Sequence, residues 1–261
     1  LNGTVERLEK LDDRKMDIRE HLGELKTRTI RICAFMGVGM AIIFYFSGSL
    51  IKEVWGTIFP QKLDMVVFAP TEMIMAQIVF SFVCTFFIGY PYLVYELYNF
   101  AKPGLYKHER SFVKTFLPFS YILFLMGTAL SYFVVIPRVY SLATLNYFGA
   151  EPYLSIKASL YGMFKIFLAF GLTFQIPVLA TIAVRLGMVD AEWLKGKRLI
   201  LYIAVFILAT NITFDISGLS QLVILGLVVI MYELSILLAL LMERTRKREE
   251  TGEYSLRTPR R

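Results

Sequence analysis

Apolar residues run almost unbroken through six stretches of the chain, about 29–47, 71–95, 112–136, 158–186, 199–213 and 216–242, with the charges gathered between them. A bilayer core about 30 Å thick requires roughly 20 apolar residues at about 1.5 Å of rise each. The pattern therefore predicts an all-α, polytopic membrane protein with six transmembrane helices. It divides the chain into a cytoplasmic amphipathic segment (1–28), a single six-helix transmembrane domain (29–242) and a basic cytoplasmic tail (243–261). The spans leave no room for a separate globular domain.

Residues 5–31 read as an amphipathic helix lying along the interface before it turns inward. Ile18, Leu22, Leu25, Thr29 and Ile32 fall on one face and the charges on the other. Ala69-Pro70-Thr71-Glu72 reads as a helix start with Thr71 as the cap. Pro91, Pro118 and Pro177 interrupt the second, third and fourth spans. Each removes a backbone hydrogen bond, so kinked helices around a concave face are expected. The last two spans read as short, because Leu199–Ile212 has few residues and the sixth stretch meets Glu233 before its end. Short spans imply local thinning of the bilayer.

A hydrophobic fraction of 56%, a mean hydropathy of +0.58 and 22 phenylalanines agree with lipid as the main solvent. The net charge of +7 could suggest nucleic acid, but its distribution points elsewhere. Segment 1–31 carries eight Lys and Arg, loop 99–114 four, loop 187–198 three and the tail after Glu243 seven. The alternate loops hold Lys52, Lys62, Arg138 and Lys157. This bias predicts both termini on the cytoplasmic side of a cell membrane, with lipid headgroups rather than nucleic acid beside the basic tail. The 28 mostly polar residues before the first apolar run lack a signal-peptide pattern. Cys33 and Cys84 have no CxxC or Cys/His neighbour, so neither a disulfide framework nor a metal site is expected.

Two charged strings, HLGELKTR (21–28) and GLYKHER (104–110), each set a glutamate among basic residues beside an apolar run. Glu24 and Arg28 form a favourable i,i+4 pair, and Glu109 lies in the first turn of the third helix, where a carboxylate suits the dipole. Both carboxylates are also placed to accept a partner's guanidinium by short, charge-assisted bonds. Within the apolar stretches, Lys165, Gln175, Asp215, Gln221 and Glu233 are the polar exceptions. Gln175, two residues before Pro177, is placed to satisfy the carbonyl which that proline leaves free. Asp215 reads as a cap of the sixth helix, and Glu233 as snorkelling or pairing between helices. No HExxH, GxSxG or phosphate-binding glycine pattern occurs, which argues against an enzyme and calls for no cofactor. A solute or ion transporter using Lys165, Glu233 and the kinked helices is the alternative.

HLGELKTR resembles the amino-terminal motif of the TatC family, the multispanning subunit of twin-arginine protein export. FAKPGLYKHER (100–110), GTALSYFVVIP (127–137), AFGLTFQIP (169–177) and MYELSILL (231–238) are similar to successive family segments in the same order. The resemblance implies a receptor for Arg-Arg signal peptides, with Glu24 and Glu109 as the acidic residues for the arginine pair. Phe100, Pro103, Leu105 and Tyr106 would shape that site, beside His21, Arg28 and Lys107. It further implies single-span TatA/TatB-type partner subunits, a homo-oligomer within the complex, and transport of folded cargo driven by proton-motive force. Gln175, Asp215 and Gln221 fall where partner contacts are expected. The chain departs from the family in three places. Gln175 stands at a position that is often glutamate, Lys26 where arginine is common, and TFDISGLSQ replaces a shorter turn around Asp215.

Overall fold

The structure is a computed structural model that describes residues 18–59, 65–143, 154–212 and 219–257. Helix α1 runs from Ile18 to Ile58, followed by a two-residue strand β1 (Met65–Val66) and helix α2 (Pro70–Ala101). A 3₁₀ turn (Lys102–Gly104) leads into α3 (Lys107–Leu130), which passes through a π-helical turn (Ser131–Val135) into α4 (Ile136–Ala143). Strand β2 (Leu154–Ser155) precedes α5 (Ile156–Thr173) and α6 (Ile176–Arg185). Short α7 (Ala191–Gly196), then α8 (Arg198–Ile212) and α9 (Leu219–Arg257), complete the described chain.

Among the described residues, five helical stretches are long and apolar enough to cross a membrane. They are His21–Ile58, Pro70–Gly104, Glu109–Ser141, Ile156–Arg185 and Gln221–Arg244. They correspond to the first four and the last of the expected spans. The remaining one, α8, has 15 residues, or about 22 Å of helix, less than a bilayer core.

Several details differ from the sequence reading. From Ile18 onward the amphipathic segment continues into the first span without a break, as α1 of 41 residues, while its residues 5–17 lie outside the described ones. The last helix is not short either: α9 runs for 39 residues and its apolar part for 24. Glu233 does not end it, since that carboxylate is matched by donors from α8. Ala69, not Thr71, precedes the first turn of α2; Pro70 takes the first helical position, where no N–H is needed, and Glu72 accepts from the Phe68 N–H at 3.0 Å. Helices α2 and α3 continue through Pro91 and Pro118. The fourth span breaks into α5 and α6 at Phe174–Gln175, so Pro177 lies in the first turn of a new helix.

The helices meet where small residues let backbones approach. A Cβ added to Gly89 would lie 2.5 Å from the ring of Phe35, and one on Gly127 would lie 2.8 Å from the carbonyl oxygen of Phe170. The larger core joins Ile51, Trp55, Phe80, Ile136, Met163 and Phe170. A smaller one packs Val184, Leu194, Tyr232 and Ile236. At the far end of α1 from Glu24, the two strands pair in parallel, Met65 with Leu154 and Val66 with Ser155, and tie two loops together. Large apolar side chains such as Ile88, Phe133 and Leu199 point outward. That surface suits lipid rather than water.

Candidate functional site

The first charged string meets the last turns of α2, just ahead of the second string in sequence. The His21 ring stacks on Phe100, with centroids 4.4 Å apart and planes at 23°. Because α1 and α2 pack along their length, the stack fixes the height at which the next turn of α1 faces α2. That turn carries Glu24 and Arg28. Arg28 donates through Nε and Nη2 to Glu24 Oε1, the Nε contact being 3.0 Å, and through Nη1 to Glu96 Oε2 at 2.7 Å. The Arg28, Glu24 and Glu96 side chains are 17%, 19% and 6% exposed. Two carboxylates thus share one guanidinium in a poorly hydrated setting, with the Tyr92 hydroxyl on Glu96 and Arg31 close by. The other oxygen of Glu24, Oε2, is buried and has no hydrogen-bond partner.

The amphipathic face is turned about relative to a helix in water. Leu22 and Leu25 are exposed, whereas Glu24 and Arg28 face α2. The sequence correctly puts these residues on opposite faces, but lipid reverses which face is buried in protein.

Beyond Phe100 the loop closes on itself. Pro103 lies in the 3₁₀ turn, and the Leu105 N–H donates to the Lys102 carbonyl at 3.2 Å. Arg110 Nε donates back to the Leu105 carbonyl at 2.8 Å, and the buried Tyr98 hydroxyl donates to the Arg110 carbonyl at 3.2 Å. Glu109 Oε2 accepts the Tyr106 N–H at 2.8 Å, so this carboxylate caps α3 while its segment stays half-buried. Tyr106 is exposed, and Lys107 opens the helix.

Glu96 was missed in the sequence reading. A span boundary drawn at residue 95 left it in the loop, although it lies four residues before Phe100 and so on the same helical face. Its helical register with Phe100 is the signal that would have found it.

The other polar positions are distributed through the bundle. Gln175 is buried and reaches across to α3, not to the carbonyl freed by Pro177. Ser120 Oγ donates to Gln175 Oε1 at 2.6 Å, and Gln175 Nε2 donates to the Ser120 carbonyl at 3.1 Å. The Tyr90 hydroxyl, 3.2 Å from Ser120 Oγ, extends the network to α2. Glu233 pairs between helices: Arg198 Nη2 and the Tyr202 hydroxyl each donate to it at 2.8 Å. Lys165 is half-buried, with Nζ 5.3 Å from the centre of the Tyr161 ring. Gln221 is half-buried at the start of the apolar part of α9, and Asp215 lies outside the described residues. A cavity of about 480 Å³ lies between α2, α3 and α5, lined by apolar side chains such as Val83, Phe87, Tyr132 and Phe167. Among the described residues, no group of three His, Cys, Asp or Glu could hold a metal.

Residues 20–226 match the family described as Sec-independent protein translocase protein (TatC). The Sec-independent protein translocase protein TatC of Methanocella arvoryzae is 34% identical over 227 residues, covering 87% of this chain and 94% of that protein. The protein of the same description from Aquifex aeolicus is 31% identical over 240 residues, covering 89% and 98%. A crystal structure described as the twin arginine translocase receptor TatC superposes with a TM-score of 0.75 at 28% identity, covering 85% of this chain and 99% of that one.

Proposed function

The chain belongs to the TatC family of Sec-independent protein translocase proteins, and from that premise we propose that it is the receptor subunit for Arg-Arg signal peptides. As a translocase component it is a membrane protein with several apolar helices, not an enzyme. In the proposed reading both termini are cytoplasmic and α8 is the fifth, short span of a single six-helix transmembrane domain. The peptide binds at the end of the bundle that carries Glu24 and Glu109. Single-span TatA/TatB-type subunits assemble on the membrane-embedded surface, several copies act together, and proton-motive force drives folded cargo across.

The observation that carries the reading is the group around Glu24. A carboxylate retains a buried oxygen without a partner, it shares its one guanidinium with Glu96, and Phe100 at the end of α2 is stacked against its helix. A guanidinium satisfies such a group with a planar fork and tolerates partial dehydration, whereas an ammonium gives up more hydration for a single point contact. Glu109, Leu105 and Tyr106 border the loop after Phe100 and would receive the second arginine and the flanking residues. Lys107 and Arg110 would repel peptides whose positive charge lies elsewhere.

The test is binding of signal peptides to the purified protein in nanodiscs. Arg-Arg and Lys-Lys versions would be compared on the wild type and on the Glu24→Gln/Glu109→Gln double mutant. Arginine-selective binding that disappears in the mutant is expected. Equal binding of the two peptides, or binding unchanged by the mutations, overturns the assignment.

A further inference from the structure

Arg28 already occupies Glu24 in the way an incoming guanidinium would. Two of its nitrogens rest on one oxygen of Glu24, and the third nitrogen rests on Glu96. A ligand arginine must therefore share Glu24 with a resident arginine or displace it. Displacement into lipid or onto an apolar surface would strand a charge at large cost. Glu96 removes that obstacle. It lies on the neighbouring helix, its side chain is 6% exposed, and it already holds one end of the same guanidinium.

We propose that Arg28 is a resident counter-ion that competes with the signal peptide for Glu24, and that Glu96 is the positioning residue that keeps Arg28 when the peptide takes its place. The inference rests on the peptide-binding reading above. In the empty site Arg28 bridges the two carboxylates, which keeps Glu24 ordered and partly neutralised. On binding, the peptide guanidinium becomes a second partner for the two carboxylates that Arg28 bridges, so each ends with one guanidinium of its own. The swap trades one charge-assisted contact for another and leaves neither arginine unpaired. It also favours arginine in the peptide, because a ligand must match the two-nitrogen contact that Arg28 gives up. A lysine offers one point contact in exchange. Glu96 thus sets the cost of entry, although it need not touch the peptide.

The test is Arg-Arg peptide affinity in nanodiscs for the wild type, Glu24→Gln, Arg28→Gln, Glu96→Gln and the Arg28→Gln/Glu96→Gln pair. Removing the competitor should tighten binding by on the order of tenfold, the equivalent of one charge-assisted hydrogen bond. Glu96→Gln should weaken binding several-fold while Arg28 is present, since the displaced arginine then has no carboxylate to receive it. In the Arg28→Gln background the same substitution should have little effect. This dependence on Arg28 separates the swap from a general loss of negative charge, which would weaken binding equally in both backgrounds.

If Arg28→Gln is folded and binds the peptide more weakly, Arg28 is scaffold and the inference is overturned. If Arg28→Gln does not fold, Arg28→Lys decides the matter, because lysine keeps the charge but cannot bridge both carboxylates. Tighter binding by that variant supports the swap, and weaker binding overturns it. Glu24→Gln keeps the two readings apart. Unchanged affinity there overturns the peptide site itself, whereas lost affinity there alongside a weakened Arg28→Gln overturns only the swap.

Discussion

The polar tie between the third and fourth spans allows a prediction whose size can be worked from its contacts. Gln175 and Ser120 exchange two hydrogen bonds, at 2.6 and 3.1 Å, inside an otherwise apolar bundle. Ser120→Ala removes the hydroxyl and leaves Gln175 Oε1 buried without its donor. Gln175→Leu removes both bonds but leaves Ser120 Oγ beside the Tyr90 hydroxyl. The double mutant removes both partners and so avoids most of the penalty of an orphaned polar group. Ser120→Ala keeps the backbone carbonyl that accepts from Gln175 Nε2, so the cycle isolates the Oγ–Oε1 bond alone; interhelical hydrogen bonds in membranes average about 0.6 kcal/mol, which sets the coupling energy. The assay is reversible unfolding of all four proteins in the same detergent. The double mutant should be more stable than the sum of the single losses predicts, by that amount. Additivity to within about 0.3 kcal/mol would show that the two side chains do not act together and would refute the interpretation of the contact.

Three further outcomes are expected. His21→Ala should weaken Arg-Arg peptide binding by about 0.5–1.5 kcal/mol through loss of the ring stack on Phe100, measured by titration in nanodiscs, while His21→Phe should restore most of it. Gly127→Ala should lower detergent stability by about 1–3 kcal/mol, because its new methyl would meet the Phe170 carbonyl; Gly226→Ala, with nothing within 4 Å, should leave the unfolding midpoint unchanged or slightly raised. Glu233→Gln should cost no more than about 1 kcal/mol in the same unfolding assay, since its pair with Arg198 is more than two-fifths exposed on both sides.

Five of the six expected spans were legible in the sequence because lipid imposes a simple demand: every backbone polar group must be satisfied within the segment, which leaves long apolar helices as the answer. Their ends were less legible. Apolar composition does not record where hydrogen bonding stops, so α1 runs on to Ile58 and α3 continues through a π-helical turn. Pro177 was read as a kink and proves to be the opening turn of a separate helix, whereas Pro91 and Pro118 lie inside unbroken ones. A proline's local effect is the same in each case; whether the helix bridges it depends on neighbours that only the fold supplies.

The site was half legible for a related reason. Glu24, Arg28, Phe100 and Glu109 stood out because they are polar or aromatic beside apolar runs, and spacing alone suggested the Glu24–Arg28 pair. The contact that changes its meaning spans 68 residues in sequence and depends on α1 packing along α2. In water the charged face of an amphipathic helix would point away from the protein, and Glu96 would read as a stray charge at a helix end. In lipid the charged face is drawn inward, because there it finds partners and outward it finds none. A carboxylate just inside the end of a neighbouring helix is then the expected complement. For chains of this kind, each charge at the margin of an apolar run is best paired with the charged face of the adjacent helix before it is assigned to a loop.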